Sequence, residues 1–140
     1  MDQQNHNLAK LLMWKDEPII KAITGAPGSG KTILLASFRE FLRSSGIADD
    51  RIVSMNFGVL KLLPNYHILY NSITDRLTSN ETTYIILDEV QLVPGYEKVI
   101  ASLLTKPNVD IYIAGAKSQL LCGENATLLS GRYVEIQLES

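Results

Sequence analysis

The sequence predicts an α/β fold, a three-layer sandwich in which a mainly parallel, five-stranded sheet lies between helices. Short apolar runs alternate with longer segments of helical period, as expected when crossover helices join parallel strands. The run Tyr84-Ile85-Ile86-Leu87 is continuously apolar, which is typical of a strand covered on both faces. With 140 residues the chain has the length of one domain and can bury a core of ordinary size.

Composition favours a globular, cytoplasmic domain without a membrane partner. Hydrophobic residues make up 46% and charged residues 20%. No apolar run approaches the roughly 18 residues of a membrane-spanning helix, and the polar N-terminus does not resemble a secretory signal. The net charge is −2 and no basic run occurs, so charge does not indicate nucleic-acid binding. We expect the single cysteine, Cys122, to be a small buried side chain rather than a reactive thiol.

In the first part of the chain, apolar spacing predicts three elements. Leu8, Leu11 and Leu12 predict a helix over 7–14, which the segment 15–18 ends. The apolar run 19–24 predicts the first strand and leads directly into a glycine-rich loop. Apolar positions every three or four residues predict an amphipathic helix over 32–43, with Gly46 as its left-handed cap.

The remaining elements follow the same alternation. The run 51–57 predicts a second strand, and 58–64 carries no readable pattern. Four-residue spacing predicts a helix over 67–77, the run 84–87 a third strand, and 96–104 a helix. The run 109–114 predicts a fourth strand, 118–121 a turn or short helix, and the alternation over 133–138 a fifth strand. The sequence ends two residues later, and we expect a further domain to follow normally.

The glycine-rich loop matches the phosphate-binding pattern G-x-x-x-x-G-K-[ST] through Gly25, Gly30, Lys31 and Thr32. Glycines let the backbone wrap closely around a polyanion, and the following helix offers its positive end. Lys31 is expected to reach the β- and γ-phosphates and Thr32 to ligate Mg²⁺. The expected phosphate-binding residues are Gly25, Ala26, Pro27, Gly28, Ser29, Gly30, Lys31, Thr32 and Ile33. The alternative, a glycine-rich turn with an exposed lysine, is disfavoured by the preceding strand and following helix.

Two carboxylates, Asp88 and Glu89, follow the third predicted strand. Because the carboxyl ends of parallel strands face the ligand crevice, we expect Asp88 near Thr32, holding Mg²⁺. Glu89 would point elsewhere and polarise a water for attack on the γ-phosphate, a group that a hydrolase needs and a kinase does not. The alternative is an acidic, solvated turn.

The chain resembles the prokaryotic AAA-like ATPase domain that is often followed by an uncharacterised or nuclease-like C-terminal domain. The similarity covers most of the chain and is most specific in the segments 85–91, 93–98 and 128–133. It implies a P-loop NTPase of ASCE type, with a further strand between the phosphate-loop strand and the acidic strand. It also implies ATP as nucleotide, Asp88 on magnesium, Glu89 as the catalytic carboxylate, and Arg132 as the family's arginine before the last strand.

The chain departs from this family in three respects. The family often has arginine in the phosphate loop, where this chain has Ala26-Pro27. After the fourth strand the family usually has Thr-Gly-Ser, whereas this chain has Ala114-Gly115-Ala116, so two hydroxyls are absent. That absence puts γ-phosphate sensing in doubt and predicts slower hydrolysis. The C-terminal domain is also absent from this sequence.

Further polar residues are weaker candidates for the site. Lys117 or Ser118, after the fourth strand, could contact the γ-phosphate or the attacking water, or could simply belong to a polar loop. Arg132 could stabilise charge in its own subunit or in a neighbour's, which would require a homo-oligomer, or it could be a surface arginine. His6 and His67 have no metal-ligand spacing.

Three functions are compatible with these residues. The leading one is an ATPase that binds ATP and Mg²⁺, releases ADP and phosphate, and moves an attached C-terminal domain or protein partner. The second is a nucleotide-gated regulatory module with negligible turnover, which Ala114 and Ala116 favour and Glu89 opposes. A small-molecule kinase is disfavoured by Glu89 and by the lack of an arginine-rich lid segment.

Overall fold

The computed structural model describes residues 2–59, 65–121 and 123–138, so Cys122 and most of the unpredicted 58–64 stretch lie outside the described residues. Within these ranges the strands are β1 (Ile20–Thr24), β2 (Ile52–Asn56), β3 (Thr83–Asp88), β4 (Val109–Gly115) and β5 (Tyr133–Gln137). The helices are α1 (Asp2–Met13), α2 (Lys31–Ser44), α3 (Tyr66–Thr74), α4 (Tyr96–Leu104), α5 (Lys117–Leu120) and α6 (Gly123–Leu129).

The sheet is parallel throughout, in the order β2-β3-β4-β1-β5. Strand β4 therefore lies between β1, which leads into the glycine-rich loop, and β3, which ends at the acidic pair. Its register pairs Ile113 with both Ala22 and Leu87. The expected ASCE arrangement, with one strand inserted between the two motif strands, is confirmed.

Two apolar clusters, one on each face of the sheet, form the core. On one face Leu11 of α1 and Phe38 of α2 pack against Ile23 and Ile86. On the other face, side chains of α3, α4 and α6 pack against Ile85 and the other strand residues whose side chains lie on that face. Burying each such side chain contributes about 1.5–3 kcal/mol. The expected three-layer sandwich is confirmed, and its strands hold the loop and the acidic pair at one edge.

A buried ion pair joins β1 and β4 near the opposite edge. Lys21 Nζ lies 2.5 Å from Asp110 Oδ1, and the two side chains are 0% and 1% exposed. The other Asp110 oxygen accepts from Tyr112 Oη at 2.6 Å and from the Asp16 backbone N–H at 2.9 Å. Burial and the neighbouring Asp110 carboxylate raise the pKa of Tyr112. The network ties the α1–β1 connection to the centre of the sheet.

The predicted elements are all present, with shifted boundaries. Helix α2 ends at Ser44, and Gly46 follows at φ 94°, so the predicted left-handed cap is confirmed. Helix α1 begins at Asp2, several residues before the prediction, because its first turns are polar and carry no apolar period. Helix α6 was not predicted, since its large apolar residues, Leu128 and Leu129, are confined to its last two positions.

Candidate nucleotide site

The glycine-rich loop connects β1 to α2 at the carboxyl edge of the sheet. Gly28 and Gly30 have φ values of 84° and 101°, a backbone region that favours glycine. Gly30 caps α2 without a side-chain hydrogen bond, so the first amides of the helix remain available to an anion. Lys31 Nζ donates to the carbonyl oxygens of Gly25 at 2.8 Å and Ala26 at 3.2 Å. The loop therefore has the local geometry of a phosphate cradle.

The end of β3 meets the start of α2 through one short hydrogen bond. Thr32 Oγ1 donates to Asp88 Oδ2 at 2.7 Å, and Asn56 Nδ2, at the end of β2, approaches the same oxygen at 3.3 Å. The other carboxylate oxygen, Asp88 Oδ1, is buried and has no hydrogen-bond partner among the described residues. The pKa of Asp88 is raised above its usual value. Burial is the main cause and the nearby Glu89 adds to it, and together they outweigh the Thr32 hydroxyl and Lys31, which lower the pKa.

These donors fit a magnesium ion. Mg²⁺ prefers oxygen ligands and is commonly held by one or two protein oxygens together with phosphates and water. The Thr32 hydroxyl and the unpaired Asp88 oxygen are adjacent oxygens of this kind. The described residues contain no cluster of three or more histidine, cysteine or acidic side chains, so a site built from protein ligands alone is not found there.

Glu89 follows in a left-handed conformation, at φ 56° and ψ 40°. This region is uncommon for residues other than glycine and is a source of backbone strain that often occurs at functional sites. The Glu89 N–H donates to the Ala114 carbonyl of β4 at 2.8 Å. Glu89 lines a cleft of about 340 Å³ together with Pro27, Gly28, Gly30, Lys31, Thr32 and Ile33. The structure thus brings the second carboxylate to the loop.

Lys117 and Ser118 lie beside a different part of the loop. They line a cleft of about 680 Å³ whose other walls include the loop residues Gly25, Ala26 and Pro27. Lys117 Nζ is 3.5 Å from Glu135 Oε2, which also accepts from Thr24 Oγ1 at 2.7 Å. This cleft does not include Lys31, Thr32 or Glu89. The two residues are therefore near the phosphate loop but separate from the acidic pair.

Arg132 lies at the opposite edge of the sheet. Its carbonyl accepts from the N–H of Ile20, the first residue of β1, whereas the glycine-rich loop follows the last residue, Thr24. The length of β1 separates the two by roughly 16 Å. Because the residue before a parallel strand lies at that strand's amino edge, Arg132 lies away from its own chain's loop, which does not favour action on its own subunit's nucleotide. Action in a neighbouring subunit stays a prediction.

Sequence reasoning missed two polar side chains of the site, Asn56 and Gln91. Asn56 ends β2, the strand next to β3, so the rule that strand ends meet at one edge could have found it. Gln91 Nε2 donates to Glu89 Oε1 at 2.6 Å. No residue pattern announces that contact, since it depends on the left-handed turn at Glu89.

A family profile described as "AAA domain" matches residues 17–140. The chain belongs to this family. An uncharacterized protein of Haemophilus influenzae is 38% identical over 141 residues, which cover 99% of this chain and 35% of that protein. The chain thus spans about a third of the length of this relative.

Solved structures show the same fold at low sequence identity. Pif1 helicase from Candida albicans is 15% identical with a TM-score of 0.62, over 100% of this chain and 40% of that one. A DNA polymerase III gamma subunit-related protein from Thermotoga maritima is 13% identical with a TM-score of 0.61, over 98% and 46%. PCH-2 from C. elegans is 14% identical with a TM-score of 0.58, over 99% and 40%.

Among the described residues, no helix has the length and apolar character needed to span a bilayer.

Proposed function

We propose that this domain binds ATP with Mg²⁺ at the glycine-rich loop, hydrolyses ATP to ADP and phosphate, and thereby changes the conformation of an attached or partner domain. The observation that carries the proposal is the contact between Thr32 and Asp88, which leaves the second carboxylate oxygen buried beside the loop and unpaired among the described residues. A buried acceptor without a partner is costly and calls for a ligand at that place.

Phosphate binding in this proposal uses the loop amides and Lys31. The first amides of α2 have no side-chain cap, and the helix dipole adds to their attraction for an anion. Lys31, now held by the Gly25 and Ala26 carbonyls, exchanges these acceptors for β- and γ-phosphate oxygens. Because phosphate oxygens are negatively charged and the carbonyl oxygens are neutral, the ammonium gains a charge–charge attraction, and the exchange favours the bound state.

Hydrolysis uses Glu89 as the general base. A water positioned by Glu89 attacks the γ-phosphorus and gives up its proton to the carboxylate. The bond to the β–γ bridging oxygen breaks, and its electron pair leaves with ADP. Asp88 and Thr32 would hold the magnesium ion, which offsets the negative charge on the β- and γ-phosphates when bound. Glu89 lines the same cleft as Lys31 and Thr32, which supports this assignment.

We further propose that ATP hydrolysis acts on a partner of this domain. The Haemophilus influenzae relative is nearly three times as long as the matched region, which covers 35% of it. We place the target of the conformational change in such an additional domain or in a separate protein, in the cytoplasm. The proposal includes a homo-oligomer because Arg132 is exposed at the amino edge of the sheet. There it could act on a nucleotide only if that nucleotide were bound to a neighbouring subunit.

A nucleotide-gated module with negligible turnover is the second candidate. The end of β4 carries Ala114, which is fully buried, followed by Gly115 and Ala116, so these positions supply no side-chain hydroxyl near the loop. An oriented water needs hydrogen-bond partners, and fewer of them favour binding without rapid chemistry.

One experiment separates these two functions. ATP-Mg²⁺ and ADP-Mg²⁺ binding are measured by calorimetry, and phosphate release is followed in the same preparation. If the domain is an ATPase, phosphate release should be sustained and should depend on Mg²⁺, both in this domain and in the longer parent protein. Binding without release supports the gated module, and absence of binding to either nucleotide overturns both.

A further inference from the structure

The side chain of Gln91 bridges Glu89 and helix α5. It lies in the short 3₁₀ turn Val90–Leu92 that follows the acidic pair. Its Nε2 donates to Glu89 Oε1 at 2.6 Å and approaches Gln119 Oε1 of α5 at 3.3 Å. If the Gln91 carboxamide were reversed, its oxygen would lie 2.6 Å from a Glu89 carboxylate oxygen, and the two would repel each other. The Glu89 carboxylate therefore fixes the amide with its NH₂ group toward Glu89.

The same carboxamide packs over the end of β4. A Cβ atom added at Gly115, the last residue of β4, would overlap the Gln91 carboxamide, so glycine is required for this approach. The residues flanking Gly115 are Ala114 and Ala116, whose side chains cannot form hydrogen bonds. The polar group at this end of β4 is therefore supplied by a side chain from the turn after β3.

Gln91 also has an unused acceptor. Its Oε1 is buried and has no partner among the described residues. A buried polar atom without a partner is costly, so such an atom in a functional cleft commonly marks the place of a water or ligand group. In Gln91 this acceptor and the donor to Glu89 belong to one rigid amide plane, which couples the two in space.

The geometry points to Gln91 as a positioning residue for the hydrolysis step, taking over at the end of β4 the polar role that Ala114 and Ala116 cannot fill. The inference rests on the proposed function. By holding one oxygen of the Glu89 carboxylate, Gln91 restricts its rotation and orients the other toward the attacking water. The contact with Gln119 connects this arrangement to α5, whose first residues line the cleft on the other side of the loop.

The test replaces Gln91 by methionine, which keeps the length of the side chain and removes its amide donor. We expect kcat for phosphate release to fall about 10- to 100-fold, since loss of an orienting partner typically has an effect of this order. The affinity for ADP-Mg²⁺ should stay within about twofold, because Gln91 does not line the cleft with Lys31 and Thr32. Leu92→Ala, at an exposed position of the same turn, is the matched control and should retain the parental kcat. A Gln91→Met protein with parental kcat would mean that the side chain only fills space.

A second variant distinguishes orientation from packing. In a Glu89→Gln background, Gln91→Met should cause no further loss of kcat, because the two residues act as one unit. If the two losses multiply, Gln91 does not act through Glu89, and the inference is overturned.

An NMR measurement tests the pairing without turnover. The side-chain amide signal of Gln91 is assigned by its disappearance in Gln91→Met, and it should move in Glu89→Gln when no nucleotide is added. A signal that moves while the parental protein releases no phosphate supports the pairing and counts against the proposed hydrolysis. A signal that does not move in Glu89→Gln overturns the inference whatever the ATPase activity is.

Discussion

The Thr32 hydroxyl and the Asp88 carboxylate are joined at 2.7 Å although 56 residues separate them in the chain. The contact exists because β3 ends and α2 begins at the same edge of a parallel sheet, in which one strand, β4, separates β3 from the strand β1 that leads into α2. It leaves Asp88 Oδ1 buried, with no hydrogen-bond partner in the part of the chain that the structure describes. In the proposed function, this relationship makes Asp88, together with the loop, the residue that would hold the metal ion.

Replacing Asp88 by asparagine should separate metal binding from nucleotide binding. The amide retains the size of the carboxylate but not its charge, so Mg²⁺ should no longer strengthen ATP binding. We expect the Mg²⁺-dependent gain in ATP affinity to fall at least tenfold while metal-free ADP affinity is retained, as measured by calorimetry with and without EDTA. Stability should not fall, because burial already disfavours the charged form of Asp88 and raises its pKa. An unchanged Mg²⁺ dependence would remove Asp88 from the metal site.

Replacing Lys31 by alanine should abolish nucleotide binding. The ammonium is the cation of the loop and lies within hydrogen-bond distance of two loop carbonyls. Loss of such a charged contact costs several kcal/mol, so we expect ATP affinity to fall at least a hundredfold in calorimetry. Lys10→Ala, on an exposed face of α1, provides the matched control and should bind normally. Parental affinity in Lys31→Ala would show that the nucleotide binds elsewhere.

Replacing Glu89 by glutamine should preserve binding and strongly slow phosphate release. The neutral amide is nearly isosteric but cannot accept a proton from water. We expect kcat to fall by at least a hundredfold with ATP affinity within about threefold, followed by phosphate release and by calorimetry. Hydrolysis at the parental rate would mean that another group activates the water.

Replacing Lys21 by methionine should destabilise the fold without altering the site directly. The substitution leaves the Asp110 carboxylate buried without its cation, a change that typically costs about 3–5 kcal/mol. In a domain of this size, each kcal/mol lowers the melting temperature by about 2–4 °C, so a drop of roughly 10 °C is expected in thermal denaturation. Lys15→Ala, which removes the partly exposed pair with Asp16, should lower it far less. Equal losses in the two variants would contradict the buried pair's importance.

Most element positions could be predicted because they depend on local patterns, whereas the strand inserted between the two motif strands was implied by the family resemblance. The structures of apolar runs such as 84–87 and of the glycine-rich loop can be predicted from a few neighbouring residues. The position of Asp88 was predictable as well, since the end of a buried parallel strand must face the ligand edge. Its detailed pairing with Thr32 follows from that rule together with the position of the loop.

Other contacts depend on geometry that local patterns do not carry. Lys21 interrupts an apolar strand, but nothing near it indicates that its partner is Asp110, 89 residues later. Gln91 reaches Glu89 only because the backbone between them turns through a left-handed residue. The role of Arg132 came from resemblance alone, whereas its position at the amino edge follows from its place before a parallel strand.

The left-handed conformation of Glu89 has a consequence for how the domain tolerates substitution. At φ 56° a glycine would relieve a backbone cost of about 1 kcal/mol, so Glu89→Gly is expected to lose the carboxylate and become no less stable. Selection for stability alone would therefore tend to remove this glutamate. Its retention against that tendency would be a trace of selection for activity, and this position is where a thermostability screen should first recover inactive variants.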